Sequence, residues 1–197
     1  MNPISDESFY TLIQILETYM VLNQEFKAVL RSRLQETSYK KGSRILNFHE
    51  KQEVIWFLLE GLVREIRVNA ETFEEKTTWF WSEKSFLYTT PGFFSQQLSE
   101  CTIEVIKDSK MVLMSYQDWT WLKGDFKETE FITEKIRGSY EKVRQEHIDD
   151  IKNLNTIDRY LKRKTNLLQL LGITKLKYVA EYMSMSADRL GKLRKKY

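Results

Sequence analysis

Val54-Ile55-Trp56-Phe57-Leu58-Leu59-Glu60-Gly61-Leu62-Val63-Arg64-Glu65-Ile66-Arg67-Val68 decides what kind of fold this chain adopts. Its β-branched and aromatic residues favour extended backbone. Glu60-Gly61 reads as a tight connection between two strands, Val54–Glu60 and Leu62–Val68, because glycine tolerates the positive φ that such turns need. Runs of the same kind lie on both sides: Arg44–Phe48, Lys76–Trp81, Cys101–Ile106 and Met111–Ser115. Asp108-Ser109 offers a turn between the last two. Short strands at this spacing predict a small antiparallel barrel, roll or sandwich. Ser82–Ser99, aromatic and polar with Pro91 before Gly92, reads as irregular or partly helical.

Helices flank this region. Phe9, Leu12, Ile13, Leu16 and Met20, then Phe26, Val29 and Leu30, recur at helical spacing, with Asn23 placed to cap a second helix. A longer pattern starts near Asp125. Ile132, Ile136, Tyr140, Val143, His147, Ile151 and Leu154 step by three or four residues, and charged residues fill the gaps. A helix of roughly 30 residues would run about 45 Å, beyond what a small domain needs. Its stripe packs either on the chain's own β-region or on the same helix of a second copy. The second reading makes Ile132, Ile136, Tyr140, Val143, His147 and Ile151 a dimer interface.

Three short helices are predicted beyond it. Asn155-Thr156 caps the first, and Gly172 ends the helix that carries Leu167 to Leu171. Thr174 caps Lys175–Met183, Ser184-Met185-Ser186 is a turn, and Ser186 caps Ala187–Tyr197. Two short helices joined by such a turn, the second strongly basic, describe a helix-turn-helix. Val179, Ala180, Leu190 and Leu193 would close its core. Lys192 is placed to donate to guanine, Asp188 to accept from cytosine N4, and Ala187 to meet a thymine methyl. Arg189, Lys195 and Lys196 suit phosphates, as does the helix N-terminus at Ser186.

Charge placement supports this. The 197 residues carry a net charge of +3, but Ile157–Tyr197 holds 11 basic and 3 acidic residues, a local +8, which leaves the rest at −5. A basic module on an acidic body suggests a polyanionic partner. The plain alternative is a solvated basic tail, but its leucines favour a folded unit.

Composition excludes other classes. Apolar residues make up 42% and charged residues 30%, and no apolar run is long enough for a membrane span. No secretory signal is visible at the N-terminus, so the expected location is cytoplasmic, with no membrane partner. The one cysteine, Cys101, permits no internal disulfide and no cysteine-rich metal site. His49 and His147 form no metal-spaced pair, and His49 reads as a turn residue. There is no nucleophile elbow, phosphate loop or HExxH motif. Neither a catalytic residue nor a metal or cofactor is expected.

The order of N-terminal helices, β-roll, long helix and helix-turn-helix resembles the cyclic-AMP receptor protein and fumarate–nitrate regulator (Crp/Fnr) family of bacterial transcription factors. The residues that carry the likeness are Tyr39-Lys40-Lys41-Gly42-Ser43-Arg44-Ile45-Leu46, Trp56–Arg64, Cys101–Ile106, Lys110–Trp119, Arg159-Tyr160-Leu161, Tyr178–Met183 and Ser186–Lys196. The resemblance implies an α+β chain with residues 1–124 as sensor roll, 125–155 as dimerisation helix and 156–197 as DNA-binding domain. It implies a homodimer on a pseudo-palindromic double-stranded DNA site. The family's cyclic-nucleotide site uses Gly-Glu and Arg-Ser or Arg-Thr pairs. Phe86-Leu87-Tyr88-Thr89 and Leu98-Ser99-Glu100-Cys101 stand there instead, and no arginine falls between Arg67 and Arg137. A cyclic phosphate would lack its guanidinium partner. Iron–sulfur cysteines are absent, and the sequence stops without the family's usual β-wing. An unknown small-molecule effector would meet Trp79, Trp81, Phe86, Tyr88, Ser99 and Glu100, unless these aromatics are core. The leading reading is a dimeric, sequence-specific regulator that does not bind cyclic AMP. The alternative is a ligand- or partner-binding roll with a basic helical tail.

Overall fold

The computed structural model describes residues 2–69 and 71–197. After a short strand β1 (Asn2–Pro3), helices α1 (Asp6–Leu16) and α2 (Gln24–Ser32) follow. The Asn23 side chain accepts the Phe26 N–H at 2.7 Å, which fixes the start of α2. Leu12, Ile13, Leu16, Phe26 and Leu30 form the buried faces of this pair.

The sheet comprises β2 (Gln35–Tyr39), β3 (Arg44–Leu46), β4 (Val54–Val68), β5 (Glu75–Ser82), β6 (Phe86–Leu87) and β7 (Thr102–Ser115), together with β1. All pairings are antiparallel, in the order β1-β2-β7-β4-β5, with β3 on β7 and β6 on β4. Two expected turns are not turns. Glu60-Gly61 lies inside the 15-residue β4, and Asp108-Ser109 inside the 14-residue β7. The two strands pair with each other along this whole length, and the register shifts three times between Leu58 and Val63. Gly61 does have positive φ, at 118°, but there it serves a bulge that bends the strand rather than reversing it. Ser109 sits directly against it: a Cβ on Gly61 would lie 2.0 Å from the Ser109 Oγ.

Ser115 caps α3 (Tyr116–Asp125) by accepting the Asp118 N–H at 3.0 Å. The long helix α4 (Lys127–Asn153) has 27 residues. Most of its stripe is turned toward the chain's own roll. Ile132, Ile136 and His147 are buried within the chain, and Tyr140 packs on Trp79, Trp81 and Tyr88 of the roll. Ile151 is half-buried, and Val143 alone of the six proposed interface residues is exposed. The sheet's apolar surface competes for the stripe and covers it.

The first of the three predicted terminal helices is α5 (Thr156–Ile173), 18 residues long, with Gly172 inside its last turn rather than ending it. Asn155 caps it through the N–H groups of Ile157 and Asp158, at 2.9 and 3.1 Å. Helix α6 (Leu176–Tyr182) has Lys175, not Thr174, at its N-cap and no side-chain cap, and α7 (Ala187–Lys196) follows. Apolar side chains gather into three clusters. One joins the N-terminal helices, α3 and the first half of α4 to a sheet face, and one fills the roll between β4, β5 and β7. The third closes α5, α6 and α7 around Tyr160, Leu167, Val179, Met183, Leu190 and Leu193.

Candidate nucleic-acid interface

Helices α6 and α7 are set by a tight connection. Ser184 takes positive φ, and the Met185 N–H donates to the Ala180 carbonyl at 3.0 Å. The Ser186 hydroxyl then accepts the Arg189 N–H at 3.1 Å and starts α7. Val179, Ala180, Leu190 and Leu193 are buried, so the expected core of the two-helix unit is present.

The opposite face of α7 is open. Ser186, Asp188, Arg189, Lys192, Lys195 and Lys196 are exposed, and Ala187 is half-buried. Lys192 Nζ lies 2.7 Å from Asp188 Oδ2, with 69% and 73% of the two side chains exposed. An exposed pair of this kind is worth roughly 0.5 kcal/mol, so both groups can turn to other partners. Arg189 Nε donates to Thr156 Oγ1 at 3.2 Å, which lays its guanidinium against the start of α5. Arg194 on α7, Lys177 on α6 and Lys175 at its N-cap add exposed cations that the motif reading left out. The basic count of the segment was their only signal in the sequence.

This unit is docked on the rest of the chain. A Glu181 carboxylate oxygen accepts the Thr77 N–H at 2.9 Å. Arg159 donates to the carbonyls of Ile151 and Ser184, at 2.9 and 3.2 Å. Asp150, buried at the end of α4, takes Lys162 and Arg163 of α5 at 2.6 Å each. Burial would raise its pKa, but the two cations outweigh that and lower it. His147 lies at the junction, its ring stacked on Tyr182 at 4.1 Å and edge-on to Trp79. Burial, with Arg163 nearby, depresses its pKa to about 4, so the ring is neutral at pH 7. Its Nε2 therefore carries the hydrogen and donates to the Tyr182 carbonyl at 3.0 Å.

The six residues expected to line one effector pocket are not brought together. Trp79, Trp81 and Tyr88 pack around Tyr140, and burial pushes the Tyr88 and Tyr140 hydroxyls above their usual pKa. Phe86 packs tilted against Phe57 and faces a separate apolar cavity of about 80 Å³ beneath α1, α2 and α3. Ser99 is buried and donates to the Cys101 carbonyl at 2.9 Å, while Glu100 is exposed and holds Arg67 at 3.1 Å. A crevice of about 460 Å³ lies between the roll, α4 and α6, lined in part by Glu65, Arg67, Trp79, Arg144 and His147. Its arginines are already engaged: the buried Glu65 carboxylate binds Arg144 and Arg67 and accepts from Thr78 at 2.7 Å. Among the described residues, no group of three or more His, Cys, Asp or Glu is placed to hold a metal ion, and no helix is long and apolar enough to cross a membrane.

No family model and no curated protein matches the sequence. Solved structures do match the fold. FixK2 from Bradyrhizobium japonicum superposes with a TM-score of 0.72 at 13% identity, covering 83% of each chain. A putative transcriptional regulator of the Crp/Fnr family from Eubacterium rectale gives 0.67 at 15% identity, covering 89% of this chain and 83% of the other. The c-di-GMP-responsive global regulator CLP from Xanthomonas campestris gives 0.66 at 12%, covering 88% and 91%. At identities this low the likeness is one of fold, and the fold of this chain is that of the Crp/Fnr-type regulators.

Proposed function

We propose that the chain is a sequence-specific DNA-binding transcription regulator that lays α7 in the major groove, two copies on one pseudo-palindromic site. The observation that carries this reading is the open polar and cationic face of α7, set on a closed apolar core that holds the helix rigid. An α-helix fits the major groove, where Lys192 meets guanine O6 or N7, Asp188 meets cytosine N4 and Ala187 meets a thymine methyl. Lys195, Lys196, Arg194 and the N-terminus at Ser186 take phosphates. Arg189 joins them only after leaving Thr156. Residues 156–197 act as the reader, residues 1–124 as the roll, and 125–155 as the helix between them, in a protein that works in the cytoplasm. Ile132, Ile136 and His147 are covered within each chain, so pairing of two copies along α4 falls to the part of the helix that stays exposed, around Val143 and Ile148. The roll does not depend on cyclic AMP: no arginine stands between Arg67 and Arg137 to hold a cyclic phosphate, and Trp79, Trp81 and Tyr88 are packed against Tyr140 of α4.

Selection from random duplexes at physiological salt tests the reading. Enrichment of an inverted repeat with half-sites about one helical turn, ~34 Å, apart is the expected result. Recovery of no preferred sequence overturns it. Lys192→Ala should relax preference at one base position by about 1–3 kcal/mol; equal weakening on every duplex would make Lys192 a phosphate contact.

A further inference from the structure

We propose that Arg64 clamps the reader to the roll through Tyr178, so that α7 is held in one orientation relative to the body of the molecule. Arg64 lies on β4 and is 6% exposed. Its Nη2 donates to Glu104 Oε2 on β7 at 2.8 Å, and its Nη1 to Thr77 Oγ1 on β5 at 2.9 Å. The third contact is with the reader. The guanidinium carbon sits 3.5 Å from the centre of the Tyr178 ring on α6. A buried cation is costly without partners, and a ring face is a good one in a dry setting. Removing that face would open the guanidinium to water on the reader side alone, because Glu104 and Thr77 belong to the roll.

The rest of the junction acts in the same direction. Thr77 joins both partners, accepting from Arg64 with its hydroxyl and donating its N–H to Glu181. Tyr182 lies against His147 and Phe80. Tyr178, Glu181 and Tyr182, at i, i+3 and i+4, form one face of the seven-residue α6. Val179 and Ala180 form the other and are buried with Leu190 and Leu193 of α7. Helix α6 is thus fixed on both sides. Rotating α7 against the roll must either open the reader's own core or break the contacts of this α6 face with the roll, among which the Tyr178 ring is the one that satisfies a buried charge.

The physical half of this inference stands without DNA; its consequence for recognition rests on the proposed function. Nitroxide labels at Lys51→Cys and Lys195→Cys, in full chain diluted with an excess of unlabelled chain so that only distances within one copy are read, report the roll-to-reader distance, the native Cys101 being buried. The otherwise unaltered protein should give one narrow distance. Tyr178→Phe keeps the ring face and should leave it narrow, and Tyr178→Leu should broaden it with helical content unchanged. A broad distribution before any change at Tyr178, or a narrow one in Tyr178→Leu, overturns the clamp. Duplex selection then reads the consequence. The native chain and Tyr178→Phe should keep one half-site spacing, and Tyr178→Leu should keep the half-site letters but lose the spacing preference. Unchanged spacing in Tyr178→Leu overturns the recognition role. If the native chain selects no sequence, the proposed function falls, and the clamp is judged on the distances alone.

Discussion

A methyl group on Gly61 would meet not only the Ser109 hydroxyl oxygen but also its Cα, at 2.9 Å. Backbone and side chain both oppose it, and a φ of 118° suits no L side chain. Gly61→Ala should therefore lower stability by about 2–4 kcal/mol in urea unfolding, and Ser109→Gly should restore part of that. His147 gives a second expectation. Its pKa in the folded chain is about 4, below its ordinary 6.5. Burial holds the ring neutral, so the unfolded chain takes up the proton first as pH falls. Stability contributed by the neutral ring is whole above pH 6.5 and lost as pH drops toward 4, by up to about 1.4 kcal/mol per pH unit. His147→Gln should flatten that part of the profile. Residue types gave no warning of this: a histidine on an apolar helical stripe looks the same whether it meets a second copy or its own roll.

Helices and strands were largely legible as patterns, and their partners were not. The 3.6-residue stripe of α4 identified its apolar face correctly, but periodicity carries no information about what covers that face. Glu60-Gly61 failed for a related reason. A positive-φ glycine between β-rich runs fits a hairpin and a bulge equally well, and only pairing with β7 across both runs decides. The terminal two-helix unit read more faithfully because its boundaries are local: Ser186 caps α7 through its own third residue. Ser186→Ala should cost about 1 kcal/mol and fray the first turn, seen as faster amide exchange at Arg189. Asp150 ties α4 to α5 through Lys162 and Arg163. Asp150→Ala should destabilise the chain by about 1–3 kcal/mol, since Arg163 is left half-buried beside His147 without its anion.

Across the whole molecule, the uneven charge was the most informative sequence feature, and the structure gives it a location. Five cations of the last segment, Arg189, Lys192, Arg194, Lys195 and Lys196, lie exposed on α7, while Arg64, Arg67 and Arg144 are bound to Glu104, Glu65 and Glu100. On the proposed function, DNA affinity follows the α7 cations. Lys195→Ala and Lys196→Ala together should weaken binding on all duplexes alike and lower the slope of log affinity against log salt by about 2, measured by anisotropy titration. Arg67→Ala should leave that slope unchanged. What sequence could not show was the attachment of the terminal helical unit to the roll, because Arg64 and Thr77 lie more than 100 positions from Glu181 and no motif pairs them.

The paired ribbon of β4 and β7 has a further bearing on how such a chain can change over generations. Side chains alternate faces along each strand, so one codon gained or lost within either would turn every later side chain inside out as far as the next irregularity. The irregularities clustered between Leu58 and Val63 are where an added or deleted residue could be absorbed locally. Drift in length should accordingly be concentrated there and in the surface connections, with the remainder of the ribbon held to a constant count.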